Sequence, residues 1–353
     1  MNSIIEDVDA YERWLRRKCE VVDSGLEEKH KRMRKSAFDF LRSTYFRWVR
    51  VISTLDGGLH QAPHVASVGD MHVENFGTWR DADGRLVWGI NDFDEASVMP
   101  YPCDLVRLAT SALLAPRIDL TPVQTARAVA RGYAAGLADP RPTLLDQHAQ
   151  HLRPFAEGDV AANQKFWRGI AKCPVAEPPK AVRRVLVKSL PEAARVIRFG
   201  TRESGAGSLG RPRYVVIAEW RSGIVVREAK ALVPSAWIWA HGKGRQSKIQ
   251  AIACGAYRAP DAAFRAHGHW TVRRLAPDSR KLDFGDIERS GLTAHLLFRM
   301  AADIGAVHAA DKRSADVQDH FASRGSKWLL SATDAARTAV LEDYESFRST
   351  RTR

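Results

Sequence analysis

Two short acidic segments carry the strongest chemical signal in the sequence. One is GDMHVENFG at residues 69–77, and the other is INDFDEA at residues 90–96. Carboxylates and amides crowded at strand ends repel one another or stay unpaired unless a cation lies between them. Their hard oxygen atoms suit Mg²⁺, which proteins often share with substrate phosphates. The two segments therefore predict a metal-dependent phosphoryl- or nucleotidyl-transfer site, with Asn75, Asp92 and Asp94 as metal ligands.

The spacing within these segments is more specific than their composition. Asp70 precedes Asn75 by five positions, as in the catalytic loop of kinases, where the aspartate orients the acceptor and the asparagine holds a metal ion. A hairpin would return Asp92 to the same place. We predict Asp70 as a catalytic residue and His72 as a second candidate, which either touches the transferred phosphate or supports the loop. The alternative for Asp70 or Asn75 taken singly is a hydrogen-bonded turn. Asp104 is predicted to cap a helix or to anchor the loop.

A glycine-rich segment lies far downstream of the acidic segments. Glycines recur as G-x-G-x-x-G at residues 205–210. A dinucleotide-binding motif of this form would be followed by a helix, whereas the strand-like RYVVIAEW follows here, as in the phosphate-covering hairpin of kinases. The segment REAK ends the next strand and could reach nucleotide phosphates; the alternative is an exposed hairpin with a basic strand end. The predicted nucleotide-binding residues are Gly205, Gly207, Ser208, Gly210, Arg227 and Lys230.

The elements that must position these residues follow from hydrophobic periodicity and turn signals. Helices are predicted within residues 5–55 with Ser36 as an N-cap, at 105–115, at 121–138 with Thr121 as cap and Pro122 in the first turn, and at 161–171, 182–197, 292–311 and 333–348. Strands are predicted in PHVASVGD, on both sides of the turn Asp81-Ala82-Asp83-Gly84, and in RYVVIAEW, GIVVREAKAL and WTVRRLA.

This order of elements predicts an α+β fold. Residues 1–179 form a helix-rich catalytic part with the acidic loop and hairpin, residues 180–285 a strand-rich nucleotide-binding part, and residues 286–353 helices that return to the catalytic part. The glycine-rich segment follows the catalytic loop, whereas it precedes that loop in ordinary kinases. The sequence therefore predicts a circular permutation, in which the helix at 292–311 packs beside the catalytic loop.

Composition restricts the class of protein. The chain has 353 residues, of which 45% are hydrophobic and 27% charged, and this balance predicts a globular protein without a membrane span. Four scattered cysteines and an acidic N-terminus predict a cytoplasmic protein with reduced thiols. The formal charge of +13 fits either a basic surface or an anionic partner such as a nucleotide or nucleic acid, although no nucleic-acid-binding motif is present.

The sequence resembles the DUF2252 proteins, a bacterial family grouped with the protein-kinase-like and aminoglycoside-phosphotransferase-like superfamily. The resemblance covers most of the chain and lies in KHKRMRKSAFDFLRST (29–44), VGDMHVENFGTW (68–79), INDFDEAS (90–97), GAGSLG (205–210), VREA (226–229), TVRRL (271–275) and GAVHAAD (305–311). It implies a protein-kinase-like two-lobed fold, a catalytic role for Asp70, and metal binding by Asn75 and Asp92.

Arg227 departs from the family, which usually has lysine there, and the swap is not conservative because arginine is a fixed, forked cation. Lys230 is the residue that could compensate, and Arg42 matches a family arginine that is a candidate phosphate contact.

The function implied by the resemblance is a kinase-like phosphotransferase that uses ATP and Mg²⁺ on an unknown small-molecule or protein acceptor. One alternative is a catalytically inactive nucleotide-binding or regulatory protein, which Arg227 favours. Another is a metal-dependent phosphohydrolase, because GD-x-H resembles part of a metallophosphatase signature. The sequence does not contain the partner motifs of that signature.

Overall fold

The computed structural model describes residues 2–55, 58–116, 120–153, 160–202, 207–242, 247–281, 294–325 and 327–350. Within these ranges, the chain is a mixture of helices and antiparallel strands, as the sequence predicts. Gly205 and residues 282–285 of the predicted strand-rich part lie outside the described residues.

The N-terminal region is helical, as predicted, and the structure divides it into four α-helices. They are α1 (Ile4–Arg16), α2 (Asp23–Lys35), α3 (Ala37–Ser43) and α4 (Tyr45–Val51). The Ser36 hydroxyl accepts a hydrogen bond from the Asp39 amide, which confirms Ser36 as the N-cap of α3. One face of α1 is buried, because its apolar residues recur at helical spacing, whereas α4 is buried on nearly all sides.

The acidic segments lie between short strands. Strand β1 (His64–Ser67) leads into the loop, and β2 (Phe76–Arg80) and β3 (Leu86–Ile90) form the predicted hairpin. Strand β4 (Ser97–Pro100) pairs with β1. Helices α5 (Pro102–Leu114) and α6 (Pro122–Ala138) follow, and α6 has the predicted Thr121 cap. Strand β5 (Thr143–Leu144) adds a third strand to the hairpin.

A five-stranded antiparallel sheet occupies the middle of the chain. It follows helices α7 (Val160–Ala171) and α8 (Lys180–Lys188) and contains β6 (Arg195–Thr201), β7 (Arg213–Trp220), β8 (Gly223–Ala231), β9 (Arg265–His267) and β10 (Trp270–Leu275). The strand order is β6-β7-β8-β10-β9. Helices α9 (Ala236–His241) and α10 (Ile249–Ala253) connect β8 to β9.

The C-terminal helices return to the N-terminal half. They are α11 (Ala294–Ala309), α12 (Ser314–Ser323) and α13 (Trp328–Ser349). Helix α11 packs against α6, β1 and β3. The Asp303 carboxylate accepts a hydrogen bond from the Ile90 amide at 2.7 Å, and the Asp311 carboxylate accepts one from the Ala66 amide at 2.9 Å. Contact between 290–311 and 60–105, expected for a permuted chain, is therefore present.

The hydrophobic cores do not follow the predicted boundaries at residues 180 and 285. The largest core joins the N- and C-terminal helices, and it also includes side chains of α9 and α10. The sheet has two smaller cores, one on each face, and α8 covers one of these faces. The segment 180–285 thus contributes a sheet with its own cores and two helices that belong to the core of the helical part.

One predicted helix is shorter than the sequence pattern indicates. The pattern favoured a helix over residues 182–197, but α8 ends at Lys188 and β6 begins at Arg195. Pro191 lacks an amide donor and disfavours helical backbone at the residue before it. Ala193 then takes a positive φ of 62°, which turns the chain into the sheet.

The described helices include none that combines the length and apolar character required to cross a membrane. All four cysteines are free thiols.

Candidate functional site

A buried carboxylate fixes the loop that carries Asp70. The Asp104 carboxylate, at the start of α5, accepts hydrogen bonds from the amides of Val68 and Gly69 at 2.8 and 2.9 Å, and His308 lies 3.3 Å from it. Gly69 has φ of 94°, and a Cβ there would lie 2.5 Å from the Glu95 carbonyl oxygen. Asp104 is therefore the loop anchor, one of the two structural roles predicted for it, and the turn requires glycine.

Asp70 faces the cavity beside a buried arginine that the sequence reasoning missed. Arg107 on α5 is fully buried, donates from Nε to Asp70 Oδ1 at 2.9 Å and also from Nη2 to the same oxygen. A second bond from Nη2 to the Leu41 carbonyl holds the guanidinium in place. Burial raises the pKa of Asp70, and Arg107 opposes that shift. Since Oδ1 takes both arginine bonds, Oδ2 is the oxygen available to a ligand; it lies 3.3 Å from where a Cβ on Gly207 would be.

Asn75 presents a buried side-chain oxygen that accepts no hydrogen bond from the described part of the chain. Its Nδ2 donates to the carbonyl oxygens of Asp70 and Asp92 at 3.2 and 3.0 Å. These two acceptors fix the orientation of the amide, so the other atom is Oδ1. Within the described residues, Oδ1 is buried and makes no hydrogen bond. A buried orphan oxygen beside carboxylates is the observation expected of a ligand to a hard cation.

The hairpin returns Asp92 to the loop, where two lysines neutralise it. Lys230 Nζ lies 3.2 Å from Asp92 Oδ1, and Lys281 Nζ lies 3.3 Å from Oδ2. Lys230 also contacts the Asp94 carboxylate. Burial alone would raise the pKa of Asp92, but Lys230 and then Lys281 hold it well below the usual range. Asp92 is therefore ionised at neutral pH.

The strand register separates Lys230 from Arg227. The two residues are three positions apart on β8, so their side chains lie on opposite faces of the sheet. Lys230 reaches Asp92 and Asp94, whereas Arg227 donates to the Ser189 carbonyl oxygen at 3.0 Å, at the end of α8. Arg227 is therefore not brought together with the other predicted residues, and Lys230 occupies the position facing the acidic loop.

Glu228 organises the sheet face that looks toward the loop. It is fully buried, and its carboxylate accepts hydrogen bonds from Arg202, Arg213 and Arg273 at 2.8–3.0 Å. Arg213 also donates to Ser208 Oγ at 2.5 Å. Although burial would raise the pKa of Glu228, the three guanidinium groups hold it well below the usual range. Three arginines share one carboxylate, so this face carries an excess of positive charge.

The glycine-rich segment is bound to the acidic loop through Arg211. This buried side chain donates to Glu95 at 2.9 Å and lies 3.4 Å from Asp94. Gly207 and Ser208 line the same cavity as Asp70. Gly210 instead packs against Leu26 of α2, where a Cβ would lie 2.7 Å from Leu26 Cδ2.

His72 and Arg42 line the same cavity as Asp70. His72 is buried, and its Nδ1 makes no hydrogen bond within the described residues. Burial lowers the pKa of His72 well below the usual range, so the imidazole is neutral at pH 7. Arg42 pairs with Glu74 at 2.7 Å and with Asp39 at 3.7 Å, which limits its freedom to contact a phosphate.

Two cavities meet at Lys281. The first, of about 70 Å³, is lined by the loop residues, Gly207, Ser208 and the N-terminal helices. The second, of about 270 Å³, lies between the β2–β3 hairpin and β10 and contains Trp79, Phe93 and Phe264 with Arg273. Aromatic side chains beside cationic groups suit a planar ring attached to an anionic chain.

The donor set at the centre fits a shared Mg²⁺ better than a metal site made by protein alone. Across the described ranges, no group of three or more His, Cys, Asp and Glu side chains is placed to hold a metal ion. Asp92 and Asn75 Oδ1 nevertheless supply one carboxylate and one free amide oxygen. Mg²⁺ is commonly bound by one or two carboxylates together with water and substrate phosphates. The residues present therefore fit Mg²⁺ that arrives with an anionic substrate.

Comparison with known proteins gives one match. The model of a family described as "Uncharacterized protein conserved in bacteria (DUF2252)" matches residues 21–155. This stretch includes Arg42, Asp70, His72, Asn75 and Asp92, and it supports the family resemblance seen in the sequence. No curated protein and no solved structure matches the chain significantly.

Proposed function

We propose that the protein is a kinase-like phosphotransferase that uses ATP and Mg²⁺. The observation that carries the proposal is the meeting of the acidic loop and its hairpin with a lysine from the distant sheet. Asp70 faces the cavity, Asn75 Oδ1 lies unpaired beside Asp92, and Lys230 crosses from the sheet to Asp92. Catalysis of phosphoryl transfer needs mainly positioning and neutralisation of charge, which these groups supply.

Each part of the nucleotide has a matching surface. The purine would lie among the aromatic side chains of the larger cavity, and the phosphates would run past Lys281 toward Asp92. Asn75 and Asp92 would hold Mg²⁺, which neutralises phosphate charge when bound. Lys230 and Lys281 would then exchange part of their contact with Asp92 for contact with phosphate oxygens.

Asp70 would serve the acceptor. Its Oδ2 accepts the proton of the acceptor hydroxyl as the acceptor oxygen bonds to the γ-phosphorus. The bond from that phosphorus to the bridging oxygen breaks, and ADP leaves with the electron pair. The raised pKa of Asp70 suits a group that takes a proton during the reaction. Transfer of the nucleotidyl group would instead release pyrophosphate.

We also propose that the two-lobed kinase arrangement is present in permuted order. The sheet with Lys230 would be the nucleotide lobe, although it follows the catalytic loop in the chain. The packing of α11 against β1 and β3 supports this order, because that helix then lies beside the catalytic loop.

Arg107 favours a second candidate, a nucleotide-binding regulatory protein without catalysis. Arg107 opposes the rise in the pKa of Asp70 that burial causes and occupies Oδ1 with two hydrogen bonds, so Asp70 is a weaker base than burial alone would make it. The two functions differ in the expected effect of Asp70 variants on release of ADP, because only an enzyme has turnover to lose.

Acceptor-independent release of ADP from Mg-ATP tests the enzymatic proposal. We expect slow turnover by the wild type and a loss of about 100-fold or more in Asp70→Asn, since positioned general bases contribute about that much. Asp316→Asn, on the exposed surface of α12, is the matched control and should keep wild-type turnover. Mg-ATP binding without release of ADP or pyrophosphate would favour the regulatory protein.

A further inference from the structure

One cation in the wall of the smaller cavity lies in direct contact with no carboxylate of the described residues. Lys29 on α2 is 3% exposed, yet it lines the cavity that contains Asp70. Its ammonium lies 5.6 Å from the ring centre of Tyr11 and 5.3 Å from that of Phe46. In the part of the chain that the structure describes, it makes no ion pair and no hydrogen bond.

The other cations that line this cavity are all paired. Arg42 pairs with Glu74 at 2.7 Å, Arg211 with Glu95 at 2.9 Å, and Lys281 with Asp92 at 3.3 Å. The Lys29 ammonium opens onto the cavity, where its Nζ keeps some accessible area. The two aromatic faces stabilise the cation only in part. Water or an anionic ligand in the cavity is therefore the partner available to it.

Lys29 keeps its charge near neutral pH despite its burial. Burial lowers its pKa to about 8, and the charges of Glu12, Glu95 and Asp70 oppose this shift while Arg211 adds to it. Most molecules therefore carry the ammonium at pH 7.

The wall that carries Lys29 is held close to the glycine-rich segment. The Val22 amide donates to the Gly210 carbonyl oxygen at 2.9 Å. A Cβ on Gly25 would lie 2.5 Å from the Gly210 nitrogen, so the backbones of α2 and this segment are in contact there, beside the Leu26 side chain that packs on Gly210. Lys29 thus belongs to a wall different from that of Lys230 and Lys281, which contact Asp92.

We propose that Lys29 binds a small anionic group of the acceptor, a carboxylate or phosphate, and thereby directs the acceptor hydroxyl toward Asp70. The proposal rests on the phosphotransferase function proposed above. The cavity of about 70 Å³ restricts the group to a few non-hydrogen atoms. With an anionic group bound by Lys29, the acceptor is an anionic hydroxyl compound rather than a neutral sugar or alcohol.

The probes are acetate and inorganic phosphate, with acetamide as the uncharged counterpart of acetate. Melting temperature is measured against concentration of each probe for the wild type, Lys29→Met, Lys29→Gln and Lys281→Met. Lys31→Met, on the exposed side of α2, is the matched control. A ligand that binds the native state raises the melting temperature by mass action.

We expect saturable stabilisation of the wild type and Lys31→Met by acetate or phosphate, but not by acetamide. Both Lys29 variants should need at least about tenfold more anion, because a charge-assisted hydrogen bond is lost. Equal stabilisation of the wild type and the Lys29 variants would overturn the assignment, as would no stabilisation of the wild type by either anion. Loss in Lys281→Met alone would place the anion on the nucleotide side and also overturn it.

Mg-ATP in the same assay separates this proposal from the function on which it rests. If Mg-ATP stabilises the Lys29 variants as it does the wild type, Lys29 is not a nucleotide contact. If Mg-ATP stabilises no variant while the anion response still depends on Lys29, the anion site stands and the nucleotide site fails. If Lys29→Met abolishes the Mg-ATP response, Lys29 binds nucleotide and the acceptor assignment is wrong.

Discussion

The two sides of the site are built by different means. On the loop side, Asp70, His72 and Asn75 lie within six residues of one another, and a tight hairpin returns Asp92. Local spacing therefore brings these groups together. On the sheet side, strand register decides which residue faces the site, and Lys230 faces it while Arg227 does not. The residues of the loop side can therefore be predicted from a short sequence motif, whereas those of the sheet side can be predicted only when the pairing of the strands is known.

Removing the anchor of the loop side should give the largest effect. Asp104→Ala leaves the buried amides of Val68 and Gly69 without their acceptor and removes the Asp104 contact of His308 Nε2. We expect a loss of about 3–5 kcal/mol in the free energy of unfolding, measured by denaturant titration. Asp316→Ala removes an exposed ion pair and should cost less than about 1 kcal/mol. Similar losses in both variants would show that the loop does not depend on its anchor.

Replacing each of the two basic residues of β8 tests which of them faces the site. Lys230→Met should weaken Mg-ATP binding by about 100-fold, which corresponds to about 2.7 kcal/mol. Arg227→Met should leave the dissociation constant within about threefold and cost about 1 kcal/mol of stability, because only its hydrogen bonds to the Ser189 and Val226 carbonyl oxygens are lost. Isothermal titration measures the affinity. Equal weakening in both variants would contradict the register argument.

The N-terminal wall gives a smaller, pH-dependent effect. The pKa of Lys29 is lowered to about 8 in the folded protein, so between about pH 8 and 10.5 the unfolded chain binds the proton and the folded chain does not. The free energy of unfolding of the wild type should therefore rise over this interval, relative to Lys29→Met, by about 3 kcal/mol. Below pH 8 the burial penalty is fully present. Parallel pH profiles of the two proteins, in buffer without acetate or phosphate, would contradict the burial of an unpaired ammonium.

The sequence predicts the elements well wherever the signal is local. Ser36 and Thr121 cap helices as expected, and Asp81–Gly84 forms the turn of a hairpin. The acidic loop is likewise predicted from nearby residues, whereas for Asp104 the sequence left two roles open, a helix cap or a loop anchor, and the structure shows the anchor. The prediction of a helix as far as residue 197 is wrong, because the helix ends at Lys188 before Pro191.

The site residues that the sequence patterns did not predict belong to charge pairs between distant parts of the chain. Arg107 lies on an apolar helix and is fully buried because it pairs with Asp70, a partner 37 positions away. Glu228 gathers arginines from three strand regions, and Arg211 and Lys281 reach the acidic loop from beyond position 200. Such pairs leave no periodic pattern. Only the alternation along β8 could have shown that Arg227 and Lys230 face opposite ways.

The central claim is that Asp92 and Asn75 hold Mg²⁺ together with a nucleotide. The most direct test is the melting temperature in ATP, with and without Mg²⁺, for the wild type and Asp92→Ala. We predict that ATP stabilises the wild type several degrees more with Mg²⁺ than without it, and that Asp92→Ala loses this difference. No response of the wild type to ATP with Mg²⁺, or an undiminished Mg²⁺-dependent response in Asp92→Ala, would contradict the account.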